Sequence, residues 1–112
     1  MASGQAERLF AALGNEVRLR IVELVSANKE MCICELVDVL DKSQANISRH
    51  VSVLRDAGVL SDRKVGAWVL LRVDEGALVA AFGGVLETVR RHHEQSRSVD
   101  AERRLTERCE SI

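Results

Sequence analysis

The sequence has no proline, only three cysteines, no long apolar run and almost no net charge over its 112 residues. Without proline, helix ends must be set by glycine, by capping residues and by loss of periodicity. Three cysteines are too few, and odd in number, for a disulfide-stapled secreted fold. No apolar run approaches the roughly 18 residues of a membrane helix, and residues 1–14 lack the pattern of a signal peptide. Because the length suits one domain, we expect a single soluble, cytoplasmic protein without a membrane partner.

The net charge of −1 hides an uneven distribution along the chain. Residues 1–40 carry four Lys or Arg against six Asp or Glu, and residues 74–112 carry six against eight. Between them, residues 41–72 carry six basic side chains against three acidic ones. A basic segment between acidic flanks is typical of a small DNA-binding protein, because only the face that meets phosphates needs positive charge. A chance fluctuation of a few charges is the alternative.

Apolar residues at helical spacing predict four helices before residue 58. The first covers residues 5–13 and ends at Gly14, and the next two end at the polar breaks over residues 26–28 and 41–43. The fourth runs from Gln44 to Ala57, with Ser43 as its N-cap and Gly58 in position to end it. The apolar residues that define the second and third helices are Val17, Ile21, Leu24 and Val25, then Ile33, Leu36, Val37 and Leu40.

After residue 58 the apolar period changes toward two, which favours strands. Residues 59–60 and 67–73 flank a polar stretch, so we predict a β-hairpin with its turn near residues 64–66 and a basic tip. Helical spacing returns after Glu75, and the predicted fold class is mainly α with a small β-hairpin. We assign residues 1–90 to the folded domain and residues 91–112 to a polar C-terminal tail that either extends the last helix or is disordered.

The third and fourth helices, joined by a short polar turn and followed by a basic hairpin, have the order of a winged helix-turn-helix. A helical wheel places Ile47, Val51 and Leu54 on one half of the fourth helix, with His50 at the edge of the core, where it packs or caps. The other half carries short hydrogen-bonding side chains and arginines. This half is either an ordinary solvated face or a surface that reads DNA.

The polar half of the fourth helix suits a major groove. Glutamine can pair with adenine, arginine with guanine and serine with either, while alanine can touch a thymine methyl group. We therefore predict that base edges are read by Gln44, Ala45, Ser48 and Arg49. Phosphate contacts, which position a protein without specifying sequence, are predicted for Ser43, Ser52, Arg63 and Lys64.

Two runs of sequence carry a resemblance to a known family. LFAALGNEVRLRI at residues 9–21 and SQANISRHVSVLRDAG at residues 43–58 resemble the opening and the recognition helix of the ArsR/SmtB family of bacterial winged-helix repressors. The resemblance covers about residues 5–90 and departs at Glu16, where the family commonly has proline, although an acid also suits a first helical turn.

The resemblance implies a homodimer that binds a pseudo-palindromic double-stranded operator, with the first and last helices of each chain packed against the partner. At least half of the apolar residues available for that interface can equally serve the core of one chain. These residues are Leu9, Leu13, Leu78, Phe82, Val85 and Val89.

EMCICEL at residues 30–36 resembles the metalloid-binding segment of the arsenic-responsive members of this family. The resemblance implies a repressor of an arsenic-resistance operon that leaves DNA when As(III) or Sb(III) binds Cys32 and Cys34. The family often has a third cysteine three residues after the second, but here that position is Val37. Either Cys109 from the tail of one subunit or an exogenous thiol completes the site, or two sulfurs suffice, and an isolated tail cysteine is often incidental.

The spacing of the two cysteines suggests how binding would reach DNA. If Cys32 and Cys34 begin the third helix, their side chains diverge by about 200°. One ion could then engage both sulfurs only by unwinding the first turn of the helix that supports the recognition helix. We therefore expect release from DNA to depend on this unwinding.

Other interpretations of the thiols stay open at this point. Thiolates favour soft ions, so cadmium, lead and zinc are alternative inducers. A Cys32–Cys34 disulfide would make redox state the signal, although it would be strained at this separation. A small thiol metallochaperone would share the cysteines but would not need the recognition face, and no Cys-x-x-Cys, nucleophile–base pair or phosphate loop indicates an enzyme. The zinc-sensing members of the family bind zinc through acidic residues and histidines. This sequence has such residues, but not at the same spacing, at Asp74, His92, His93 and Glu94.

Overall fold

A computed structural model describes residues 3–96 of the chain, and Cys109 lies outside this range. The described chain forms five helices and three strands. In chain order they are α1 Ser3–Leu13, α2 Glu16–Asn28, β1 Met31–Cys32, α3 Ile33–Leu40, α4 Gln44–Asp56, β2 Leu60–Val65, β3 Trp68–Val73 and α5 Glu75–Ser96. The described chain up to Ala81 is one compact unit, and residues from Phe82 onward belong to a second.

Polar caps and glycine set the helix ends that the missing proline leaves open. The Asn15 side-chain carbonyl accepts hydrogen bonds from the backbone N–H of Val17 at 2.9 Å and of Arg18 at 3.1 Å, which starts α2. Ser43 caps α4 by accepting from the Asn46 N–H at 3.1 Å, and Gly58 follows the helix with a φ of +83°. The predicted start of α4 is therefore confirmed, and the helix ends at Asp56, one residue before the predicted Ala57.

One apolar core lies within the first unit and receives side chains from its helices and from the sheet. Ile47, Val51 and Leu54 on α4 are fully buried, as are Leu36 on α3 and Leu71 on β3. Burial of a side chain of this size stabilises the fold by roughly 1.5–3 kcal/mol. The core therefore fixes the rotation of α4 about its axis and decides which of its residues face solvent.

The hairpin is longer than the sequence predicts. Strand β2 continues through the polar stretch to Val65, and its register with β3 runs from Leu60 opposite Val73 to Val65 opposite Trp68. The two residues between the strands include Gly66, whose φ of +61° suits a tight hairpin turn. The predicted limits of the first strand were wrong because five of its six residues are exposed, so no alternation of burial marks them.

A third strand, absent from the prediction, precedes α3. Met31 pairs with Leu71 and Cys32 with Leu70 in an antiparallel ladder, which gives the sheet order β1-β3-β2. A strand of two residues has no period that a sequence could reveal. Cys32 therefore belongs to the sheet, and the expectation that it begins the third helix was wrong.

None of the helices between residues 3 and 96 is both long and apolar enough to cross a membrane.

Candidate DNA-binding face and thiol pair

Helices α3 and α4 form the helix-turn-helix, with residues 41–43 as the turn. Asp41 adopts a left-handed conformation with a φ of +53°, and its N–H donates to the carbonyl of Val37 at 3.0 Å. This αL residue ends α3 and redirects the chain, and Ser43 then starts α4 as its N-cap. The turn therefore has a local chemical cause at each end.

Helix α4 has the two faces that its sequence predicts. Its buried residues Ile47, Val51 and Leu54 face the core, while Ser48 and Ser52 are partly exposed. Because Ser48 and Ser52 are short, the backbone of α4 can come close to the base edges in a major groove. The exposed residues of α4 are Gln44, Ala45, Arg49, Val53, Arg55 and Asp56.

The hairpin of β2 and β3, which we call the wing, carries both basic residues predicted to contact phosphate, Arg63 and Lys64, but on opposite faces of β2. Arg55 of α4 donates a hydrogen bond from Nη1 to the carboxylate of Asp62, so Asp62 lies on the face of β2 that meets the recognition helix. Successive residues of a strand point to opposite faces, which places Lys64 with Asp62 and directs Arg63 away. Of the two predicted wing contacts, Lys64 is the one on the side of α4.

Arg63 is bound to a carboxylate instead. Its Nε donates to Oε2 of Glu30 at 2.8 Å and its Nη2 donates to Oε1 at 2.9 Å, a two-pronged ion pair. These hydrogen bonds hold the pKa of Glu30 below its usual value and raise the pKa of Arg63. Glu30 was absent from the sequence prediction, because a partner 33 residues away leaves no local signal.

A second unpredicted link joins α2 to the recognition helix. Arg18 donates from Nε to the carbonyl of Ala12 and from Nη2 to that of Ala11 at 3.4 Å, near the end of α1. Its Nη1 lies 3.3 Å from Nδ1 of His50 on α4. Because arginine carries donors only, Nδ1 must be the unprotonated acceptor. His50 is therefore a packing and hydrogen-bonding residue, as the wheel position indicates.

The surroundings of His50 make stability depend on pH. Burial, and then the positive charges of Arg18, Arg49 and Lys42, lower the pKa of His50 below 6.5. The folded protein therefore binds this proton less readily than the unfolded chain. The associated stability is complete above about pH 6.5 and is lost as the pH falls through the lower folded-state value.

We expect the free energy of unfolding, measured with urea, to be lower at pH 5 than at pH 7.5, and His50→Gln to flatten this dependence. Glutamine retains an acceptor for Arg18 but does not titrate. Glu30, whose pKa is lowered from 4.5, contributes only at more acidic pH. An equal decline in wild type and His50→Gln would show that His50 is not the group responsible.

The sulfur atoms of the two cysteines at residues 32 and 34 are joined. Cys32 and Cys34 form a disulfide with their Cα atoms 5.4 Å apart. Cys32 is buried, with 6% of its surface exposed, whereas Cys34 is exposed. One sulfur of the pair is therefore anchored in the fold, and the other lies on a residue that solvent reaches.

The divergence expected for these side chains was wrong, and the reason is the backbone of Cys32. Its φ of −89° and ψ of 162° are extended, so the helix begins after it and the 100° step per residue does not apply. Its N–H donates to the carboxylate of Glu35 at 3.1 Å. A glutamate three residues after the cap is a recognised helix-start pattern, and this spacing could have located the start at Ile33. Both sulfurs therefore converge while α3 stays intact.

No third ligand joins this pair within residues 3–96, where no three His, Cys, Asp or Glu side chains are grouped so that they could hold a metal ion. Asp74, a residue of the zinc alternative, accepts a hydrogen bond from the Ala77 N–H at 3.0 Å at the start of α5. The prediction for Cys109 lies outside the described residues.

The residues expected at a dimer interface divide between two environments. Leu9 is buried in the core of the first unit, and Leu13 and Leu78 pack against that core. In the second unit the three remaining residues are exposed. Their exposed fractions are 50% for Phe82, 40% for Val85 and 59% for Val89.

A helix-turn-helix whose second helix exposes polar side chains and arginines, followed by a β-hairpin beside that helix, defines a winged-helix DNA-binding regulator. The sequence profile of the arsR family of bacterial regulatory proteins matches residues 15–62, which include the whole helix-turn-helix. The chain belongs to this family, whose members are regulators and not enzymes.

Individual relatives agree with this assignment. Over 66 residues, 59% of this chain and 56% of the relative, the sequence is 50% identical to the arsenical resistance operon repressor of Escherichia coli K12. It is 41% identical over 64 residues to an uncharacterized HTH-type transcriptional regulator of Methanocaldococcus jannaschii, covering 57% of this chain and 72% of that one. The match thus spans little more than half the length of the arsenical repressor.

Solved structures show the same fold. The homodimeric winged helix-turn-helix DNA-binding domain of a possible ArsR-family regulator from Mycobacterium bovis superposes with a TM-score of 0.63. The superposition covers 80% of this chain and 82% of that one at 21% sequence identity. The predicted winged helix-turn-helix fold, mainly helical with a small sheet, is therefore confirmed.

Proposed function

We propose that the chain is a cytoplasmic repressor of an arsenic-resistance operon that leaves its operator when arsenite or antimonite binds the thiolates of Cys32 and Cys34. The observation that carries this proposal is the convergence of the two sulfurs where β1 meets α3, the first helix of the helix-turn-helix. The relative from Escherichia coli, an arsenical resistance operon repressor, supports the choice of inducer.

In this proposal the exposed face of α4 lies in the major groove. Gln44, Ala45, Ser48 and Arg49 read base edges, because they are exposed or partly exposed on its first turns and their side chains can bond or touch base edges. The predicted phosphate contacts Ser43, Ser52 and Lys64 surround this face, whereas two N–H donors of Arg63, on Nε and Nη2, are already bound to Glu30. Two such helices, one from each subunit, would enter grooves about 34 Å apart on a pseudo-palindromic operator.

A dimer is proposed because several apolar side chains are exposed on the described part of the second unit. Phe82, Val85 and Val89 lie at helical spacing on α5 and are 40–59% exposed. A second copy of the same helix would remove this surface from water. The homodimeric domain from Mycobacterium bovis supports this arrangement.

The thiol pair fits a thiophilic metalloid. Soft sulfur ligands select such ions over hard, oxygen-seeking cations. Each sulfur would replace one hydroxide of arsenite, and the thiol proton would leave with that hydroxide as water. The exposed position of Cys34 gives the ion access, and the third sulfur would come from Cys109 or an exogenous thiol. The disulfide and the bound form exclude each other, so binding requires the reduced pair.

Coupling to DNA follows from the position of Cys32 between two DNA-binding elements. Cys32 precedes α3 directly and also pairs with Leu70 of the wing. A ligand bound to both sulfurs constrains residues 32–34 and thereby the junction of the wing with the helix-turn-helix. It releases DNA to the extent that it binds the released arrangement more tightly than the DNA-bound one.

We expect arsenite and antimonite to weaken operator binding by about 5- to 150-fold, the usual range of an allosteric coupling. The experiment titrates the reduced protein on operator DNA with arsenite, antimonite, cadmium, lead and zinc, using a phosphine reductant that offers no competing thiols. Cys109→Ser, measured in parallel, tests the third ligand. Release by cadmium or lead without release by arsenite would contradict the proposed inducer and favour the alternative ions.

A further inference from the structure

The wing sheet contains a row of residues that connects the thiol pair to the outer wing strand. Cys32 on β1 lies opposite Leu70 on β3, and Leu70 lies opposite Arg63 on β2. Residues paired across antiparallel strands present their side chains on the same face of the sheet. Cys32 and Arg63 therefore occupy the two ends of one row, with Leu70 between them.

Glu30 joins the two ends of this row, because it lies close to Cys32 in the sequence and binds Arg63. It stands two residues before Cys32, and its carboxylate receives both hydrogen bonds from the Arg63 guanidinium, at 2.8 and 2.9 Å. Strands β1 and β2 are not neighbours in the sheet, because β3 lies between them. The ion pair is therefore a direct side-chain link between the segment that leads into Cys32 and the strand that carries Lys64.

We propose that Arg63 is a positioning residue, whose ion pair with Glu30 holds the wing to the thiol segment and transmits ligand binding at Cys32 and Cys34 to the wing. This inference rests on the proposed function and names the regulatory connection of the same site. It also gives Arg63 a role other than the phosphate contact that the sequence predicts.

The geometry of the Arg63–Glu30 ion pair fixes the position of one side chain relative to the other. The contact is bidentate, and the Glu30 side chain is only 26% exposed, although that of Arg63 is 54% exposed. Because half-exposed pairs contribute modestly, we expect the loss of this pair to change the response about two- to fivefold and not to abolish it.

Trp68 provides a reporter for this connection. It is the only tryptophan of the chain, lies at the start of β3 beside the wing turn, and is 58% exposed. Its emission reports the surroundings of the wing in the absence of DNA. The experiment follows Trp68 emission, the number of reactive thiols and operator release while arsenite is added to the reduced full-length chain.

Three variants break or reverse the pair, namely Arg63→Gln, Glu30→Gln and the exchange Glu30→Arg/Arg63→Glu. Arg20→Gln is the matched control, because it removes an exposed ion pair with Glu23 within α2. We expect arsenite to consume thiols equally in all proteins. The two single variants should lose at least half of the Trp68 response and need about two- to fivefold more arsenite for release. The exchange should restore both values toward wild type, and the control should not differ from it.

Two results would overturn the inference. One is a full Trp68 response in both single variants. The other is a pattern of operator affinities measured without arsenite, in which Arg63→Gln binds more weakly, Glu30→Gln binds more tightly and the exchange does not restore wild-type affinity. This pattern would identify Arg63 as a phosphate contact. If arsenite consumes no thiols in wild type, the proposed function fails instead. In that case the ion pair is tested by comparing Trp68 emission of the reduced form with that of the disulfide form. The difference should be smaller in Arg63→Gln than in wild type.

Discussion

The double substitution Cys32→Ser/Cys34→Ser will leave operator affinity within about threefold of wild type and will abolish release by arsenite. Neither side chain lies on the exposed face of α4, so replacing sulfur by oxygen should perturb DNA binding little. A hydroxyl does not form the bond to a thiophilic ion that a thiolate forms, so the inducer loses both described ligands. Operator affinity measured by fluorescence anisotropy, with and without arsenite, gives both quantities.

The pair Cys32→Ala/Cys34→Ala is the companion variant. Cys32 is buried, and a serine there places a hydroxyl in an apolar site, whereas alanine does not. Agreement between the two variants would assign the loss of release to the missing sulfur and not to a buried hydroxyl. Normal dissociation of either variant on addition of arsenite would show that the thiol pair is not the sensor.

Arg49→Ala will weaken operator binding by about 5- to 150-fold, because a two-pronged arginine contact with a base contributes ~1–3 kcal/mol of discrimination. Arg49 is exposed on the first turns of α4, and the buried Ile47 and Val51 hold that face outward. The measurement is the affinity for operator and for unrelated duplex at several salt concentrations. Loss confined to the operator identifies a base contact, because loss of a phosphate contact weakens both duplexes alike.

Arg20→Ala is the control for Arg49→Ala. Arg20 is equally an exposed arginine, but it lies on α2 in an ion pair with Glu23. It removes the same charge from the chain without touching the recognition face. Equal losses of affinity in the two variants would assign the effect to total charge and would remove Arg49 from the reading surface.

Local chemistry made the recognition helix predictable. The spacing of Ile47, Val51 and Leu54 defines one apolar stripe, and that stripe alone decides which residues of α4 are exposed. Ser43 and Gly58 mark its ends for reasons that act within a few residues, namely a capping hydroxyl and a left-handed backbone. Each of these signals can be recognised without any knowledge of the rest of the fold.

The thiol site shows where such local reasoning stops. Treating Cys32 as helical placed the two sulfurs on opposite sides and required the helix to unwind. Pairing with Leu70, a residue 38 positions later, instead holds Cys32 in an extended conformation. The cysteines could be selected from sequence, whereas their convergence could not, because a partner distant in sequence decides their backbone.

The sequence by itself determined the helices, the exposed face of α4 and the family, since helical periodicity, caps and a continuous motif are properties of neighbouring residues. Only the tertiary structure decided that Cys32 joins the wing sheet, that Arg63 binds Glu30, and that Asp62 binds Arg55 of α4. The physical reason is that strand pairing and ion pairing join residues more than 30 positions apart, and their geometry exists only once the chain has folded.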